Sequence, residues 1–208
     1  MGDTKLPQDL VEAVRFHGHL CPGLVLGYVA SRVGMDRLGT SRSADEELIA
    51  IVENDSCAVD AVQFLTGCTF GKGNFFFRDH GKHVYTFALR PSGRAVRVSR
   101  KPGKRLSPEE ALAAPAEDLF WIEETTIALP APARIHDSVV CERCGEPTMA
   151  TRTRQRGDKT LCIPCAQRGQ DDTPRPPLRD HRRGGSCADA SAASGASSLP
   201  GAAPAKPA

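Results

Sequence analysis

Residues 16–23 read FHGHLCPG and place His17, His19 and Cys21 at alternate positions. Imidazole beside thiolate is a donor set for zinc, iron, copper or nickel. The same groups can act as base and nucleophile. A second stretch, ENDSCAVDAVQFLTGCTFGKGN at 53–74, carries Glu53, Asp55, Cys57, Asp60 and Cys68 just beyond an apolar run. If the two stretches meet, one pocket receives His17, His19, Cys21, Asp55 and Cys57. Pro22 suits the first turn of a helix, where its missing N–H costs nothing. Cys21 is then a candidate N-cap, and Cys57 falls in the first turn of a later helix. A helix N-terminus carries roughly +0.5 charge and favours thiolate over thiol. His17, His19, Cys21 and Cys57 are the candidate metal ligands here; Cys21, Cys57 and His19 are the candidate catalytic groups. Taken singly, each has an ordinary reading: a histidine bonded to loop backbone, a cysteine acting as a small buried hydrophobe. The clustering argues for a site.

A second cluster stands downstream. CERC, 17 residues and CIPC give Cys141, Cys144, Cys162 and Cys165. Two CxxC pairs at this separation match a four-thiolate zinc site. A tetrahedral d¹⁰ ion needs four soft anions about 2.3 Å away, and two tight knuckles supply them. A segment this short with few large apolar residues needs a metal as its staple. Between the pairs, TRTRQRGDK places Arg152, Arg154, Arg156 and Lys159 on one strand and turn. That basic stretch is either a solvated surface or a contact for nucleic acid or an acidic partner. No aromatic side chains interleave with it to stack on bases.

The glycine-rich run around Gly67, Gly71 and Gly73 raises a third possibility. With Lys72, it could cradle an anionic group on backbone N–H donors, which makes Lys72 the candidate cofactor-binding residue. A glycine-rich connection is the plain alternative. Lys72 is not followed by Ser or Thr, and no GxGxxG follows a strand, so nucleotide binding has no support.

The elements that must position these groups follow from periodicity. PQDLVEAVRFHG and PGLVLGYVASRVGMDRLG read as helices, and SCAVDAVQFLTG as a third beginning near Cys57. Gly23, Gly27 and Gly34 within the second helix imply close packing against another element. ELIAIVE at 47–53 reads as a buried strand. NFFFRD and HVYTFALR, joined through Asp79, His80 and Gly81, read as a hairpin, and AVRVSR as another strand. SPEEALAA opens with a capping box. The expected fold is α+β: helices packed on a mostly antiparallel sheet over residues 1–130, a small zinc-ribbon domain over 131–170, and a tail.

The chain has 208 residues and a net charge of +2. Residues 1–130 hold 15 Lys and Arg against 17 Asp and Glu, and residues 131–208 hold 12 against 8. The basic excess therefore lies downstream, and the whole chain makes no nucleic-acid argument. No run approaches the roughly 18 to 20 apolar residues that span a bilayer. The N-terminal stretch is too charged for a signal peptide, which points to the cytoplasm and away from the membrane. Eight cysteines in that setting indicate metal or reactive thiols rather than disulfides. From 171 onward the Pro, Ala, Ser and Gly content cannot bury a core, so a disordered tail carrying Cys187 is expected.

HGHLCPG, ENDSCAVDAVQFLTGCTFGKGN and the later DHGK, in that order, resemble the family of the E subunit of formylmethanofuran dehydrogenase over residues 10–130. The four-cysteine module resembles zinc fingers of the DksA/TraR type. The first resemblance implies an α+β core, commonly dimeric, with a metal-capable site on His19, Cys21 and Cys57 and with His17, Asp55, Cys68 and Lys72 nearby. It implies zinc in the ribbon, room for a second transition metal in the core, and partner subunits of a redox complex. Three functions follow: an accessory or redox-related subunit, a metal-dependent sensor or partner-binding module, or a thiol enzyme using Cys21 or Cys57.

Overall fold

The computed structural model describes residues 6–168. The expected disordered tail, with Cys187, lies outside the described residues. The chain divides into two compact units, one ending at Ile135 and the other beginning at His136.

The first unit is built on one five-stranded sheet. Its elements are α1 (Gln8–His17), α2 (Pro22–Leu38), β1 (Leu48–Val52), α3 (Ala58–Thr66), β2 (Phe75–Phe77), β3 (Val84–Leu89), β4 (Arg94–Arg100), α4 (Pro108–Ala113), α5 (Ala116–Leu119) and β5 (Phe120–Thr126). The strand order is β2-β1-β3-β4-β5. Only the β1–β2 pair is parallel. This is the α+β arrangement with a mostly antiparallel sheet.

β1 is apolar at every position and buried throughout. Its alternate side chains serve two layers. Leu48, Ala50 and Val52 join Tyr85, Phe87, Val96 and Val98 under the helices. Ile49 and Ile51 face the other way with Ala88 and Ala95, beneath Phe76, Ile127 and Leu129.

A strand buried on both faces and in the sheet interior needs a partner on each side, and this corrects the expected hairpin. β2 and β3 do not pair with each other; they flank β1. The link at 78–83 passes around the end of β1, where the Glu53 carbonyl accepts from the N–H groups of His80 and Lys82. Backbone pairing to the central strand outweighs the short loop that made a hairpin plausible.

The helices are set by their ends. Ser107 and Glu110 form both halves of a capping box at the start of α4. Gly18, at φ +101°, closes α1 in the left-handed region. A methyl group on Gly27 would overlap the Ala58 carbonyl, and one on Gly34 would overlap the Phe87 ring. The glycines of α2 thus let that helix lie directly on α3 and on the sheet, which brings the N-termini of α2 and α3 together.

The second unit holds two short hairpins and a helix: β6 (Ser138–Val140) with β7 (Pro147–Met149), β8 (Thr153–Arg156) with β9 (Lys159–Cys162), and α6 (Ile163–Gln167). Apart from cysteines, Leu161 and Ala166 are the only buried apolar residues in its cluster. No helix among the described residues is long and apolar enough to cross a membrane.

Candidate metal centres

The core cluster is assembled from three helix ends. α1 ends on His17, α2 begins after Cys21, and α3 begins after Cys57. Cys21 caps α2: its sulfur accepts the Leu24 N–H at 3.4 Å. A Cβ on Gly23 would sit 3.2 Å from the Cys57 Cβ, so this glycine too keeps the two cysteines close. One ligand atom each from His17, Cys21 and Cys57 lies within 4.8 Å of the others. The separation of His17 Nε2 from the Cys21 sulfur is 3.9 Å. Ligand atoms of a tetrahedral site, with bonds of about 2.0 to 2.3 Å, sit roughly 3.5 Å apart, so the set can close on an ion with small shifts.

His17 is held for that role. Its Nδ1 meets Asp60 Oδ2 at 2.7 Å, leaving Nε2 toward the sulfurs. A carboxylate on the far ring nitrogen fixes the tautomer and raises ligand basicity, as in metal-bound histidines generally. Asp60 is the site residue that sequence reasoning left among solvated positions. Its signal was its place three residues after Cys57, one turn along the same helix.

The other expected residues fall elsewhere. The imidazole in the cluster is that of His17, not His19. Gly18 turns the chain between them, and the exposed His19 ring stacks beside His17 with centroids 4.6 Å apart. Asp55 is exposed in the link to α3. Cys68 is fully buried, donates to the Leu48 carbonyl at 3.3 Å, and has its thiol pushed up to about 11 by burial. It is part of the packing rather than of the site. Lys72 is likewise not an open anion cradle: its ammonium donates to the carbonyls of Ser43, Ala44 and Asp45 at 3.1, 3.2 and 3.1 Å. All three of its donors are thereby used.

The expected thiolate character at the helix starts is also modified. The Cys57 thiol is raised, first by burial and then by the neighbouring Cys21 sulfur. Two sulfurs side by side resist ionising together unless a cation lies between them.

The ribbon cluster is tighter. Cys141, Cys144, Cys162 and Cys165 each place a sulfur within 4.8 Å of the rest. The Cys144 and Cys162 sulfurs are 3.9 Å apart. The first knuckle is a turn in which Gly145, at φ +74°, donates its N–H to the Cys141 carbonyl at 2.8 Å. The Cys162 N–H points at the Cys141 sulfur at 3.2 Å. Burial works against ionisation of Cys141, but the N–H groups of Cys144, Cys162 and Arg143 outweigh it and hold the thiol at about 6. Cys165 is pushed up to about 12 by burial and the adjacent sulfurs. Four soft donors at this spacing, in a unit with almost no apolar interior, fit a structural zinc ion.

An α+β core with a His/Cys₂ cluster at converging helix ends, followed by a four-cysteine zinc finger, defines the class. The family described as "FmdE, Molybdenum formylmethanofuran dehydrogenase operon" matches residues 16–125, and the "Prokaryotic dksA/traR C4-type zinc finger" matches residues 136–169. The chain belongs to the FmdE family. A curated relative from Archaeoglobus fulgidus, described as a "Probable S-adenosyl-L-methionine-binding protein", is 33% identical over 201 residues. The match covers 78% of this chain and 54% of that protein, so the chain spans about half the length of that relative. The crystal structure of an FmdE-like protein of the tungsten formylmethanofuran dehydrogenase type, from Syntrophus aciditrophicus, is similar in fold, with a TM-score of 0.59 and 25% identity. That similarity covers 76% of this chain and 90% of the other.

Proposed function

We propose that the first unit holds a transition-metal ion on His17 Nε2 and the sulfurs of Cys21 and Cys57, and that the second holds a structural zinc ion. On this reading the chain is a metal-binding accessory or redox-related subunit, working as a homodimer or beside partner subunits in the cytoplasm. The observation that carries the metal reading is the convergence of three donors within 4.8 Å, with Asp60 locking the imidazole. Three protein donors leave a coordination position open, the pattern of a working rather than a purely structural site. The accessory role draws its support from the family description alone.

A metal-free dithiol is the second reading, favoured by the closeness of the Cys21 and Cys57 sulfurs. Elemental analysis of the full chain separates the two. Two ions per chain, falling to one in Cys21→Ser and in Cys57→Ser, supports the metal core. One ion in the wild type, retained in both variants, leaves the dithiol.

A further inference from the structure

We propose that the core site takes an uncharged, oxygen-bearing small molecule, a carbonyl or hydroxyl compound, and that the Tyr85 hydroxyl donates a hydrogen bond to it. The inference rests on the reading that His17, Cys21 and Cys57 hold a divalent ion.

Tyr85 lies on β3 opposite Val52, on the sheet face that carries the helices. It is 1% exposed, and its buried hydroxyl makes no hydrogen bond with any protein atom. A buried hydroxyl without a partner is costly, and most such groups in native proteins are satisfied. The neighbours of this one are Asn54 and Ser56. Those residues form the link from β1 to Cys57, so the hydroxyl ends behind the segment that presents a metal ligand.

Neither neighbour answers the hydroxyl. Ser56 Oγ donates to Asn54 Oδ1 at 3.1 Å, and Asn54 Nδ2 meets His83 Nδ1 at 2.9 Å. Burial pushes the Tyr85 phenol up to about 12, against a smaller opposing influence of Ser56 and Asn54. The group therefore stays protonated, a donor in want of an acceptor.

Charge selects the acceptor. A divalent ion is neutralised by the two thiolates, and Asp60 adds a negative charge one residue further out. Asp55 lies in the same link. Among the described residues no Lys or Arg is hydrogen-bonded or ion-paired to His17, Cys21, Cys57, Asp55 or Asp60. A site with a net negative balance disfavours a further anion and leaves a neutral oxygen as the suitable occupant of the open position.

Cobalt(II)-loaded full chain tests this, read as a visible difference spectrum against C21S so that the core ion alone is seen. The probes are acetamide and acetate, matched in size and differing in charge. Acetamide should perturb the cobalt bands, with acetate binding about 10-fold or more weaker. Tyr85→Phe should keep the wild-type cobalt content and lose about 3- to 10-fold in acetamide affinity. Acetate binding as tightly as acetamide overturns the ligand class. Unchanged affinity in Y85F overturns the role of the hydroxyl, whose partner would then be a buried water. Should Y85F melt early, the acetamide-to-acetate ratio in the wild type decides the ligand class. Absence of a second ion in the wild type is a different failure, because it removes the metal reading itself.

Discussion

The two cysteine-rich sites of this chain invert each other's logic. In the second unit the ligands are the interior: three of its four cysteines are buried, and only Leu161 and Ala166 add apolar burial to them. In the first unit the ligands sit at the rim of an interior that exists without them, spread over α2, α3 and the sheet. One ion would make a fold; the other would use one. Donor count follows the same division, four closing the coordination sphere and three leaving it open.

Zinc removal should break the comparison most strongly. Structural zinc contributes apparent folding energies of about 10 to 16 kcal/mol in small fingers. Cys165→Ser or a strong chelator should therefore abolish amide-exchange protection across 138–167 while leaving the β1, β3 and β4 amides protected. Loss of protection in both units together would mean that the first is not self-supporting.

Gly27→Ala is next. The added methyl meets a backbone carbonyl of α3, and overpacking of this kind costs about 1 to 3 kcal/mol, against a helix-propensity gain of about 1. Thermal melts should show a lower Tm, and metal analysis should show partial loss of the core ion while the ribbon keeps its own. Asp60→Asn should be gentler on the fold and selective for the metal, weakening core affinity about 10- to 100-fold by competition titration. Equal affinity in D60N would make the His17–Asp60 contact a mere surface pair.

The smallest effect concerns acid. The Glu47 carboxylate is held down at about 2 by its own N–H and those of Ala44 and Asp45, which meet it at 2.6 and 2.9 Å. A lowered folded-state value means stability that is present above the ordinary carboxylate range and lost as pH falls through it toward 2. The Tm advantage of wild type over Glu47→Gln should be small near neutrality and should vanish between about pH 4.5 and 2. An advantage that persists below pH 2 would assign it to packing.

The sequence made the two sites unequally legible. Spacing alone identifies Cys141, Cys144, Cys162 and Cys165, because each pair is a local turn and the chemistry tolerates few alternatives. The α2 start at Pro22, the α4 capping box and the apolar β1 are equally local and agree with the structure. The core site depends on contacts distant in sequence. Whether His17 or His19 faces the sulfurs is decided by the left-handed turn at Gly18, which HxHxC cannot express. Asp60 matters only because α1 and α3 end side by side. Lys72 looked free because the three carbonyls that engage it lie nearly 30 residues upstream. The hairpin expectation failed for a similar reason: adjacency in sequence favoured β2 with β3, and pairing to β1 prevailed.

Every donor of the core cluster is delivered by a helix terminus rather than from a helix middle or a strand. Such positions can change identity without disturbing the layers beneath, since they contribute reach and orientation but little interior volume. The same chassis could therefore host different ions by exchange of a few residues at 17–21 and 55–60, with the sheet and the glycine-lined helix contact left as they are.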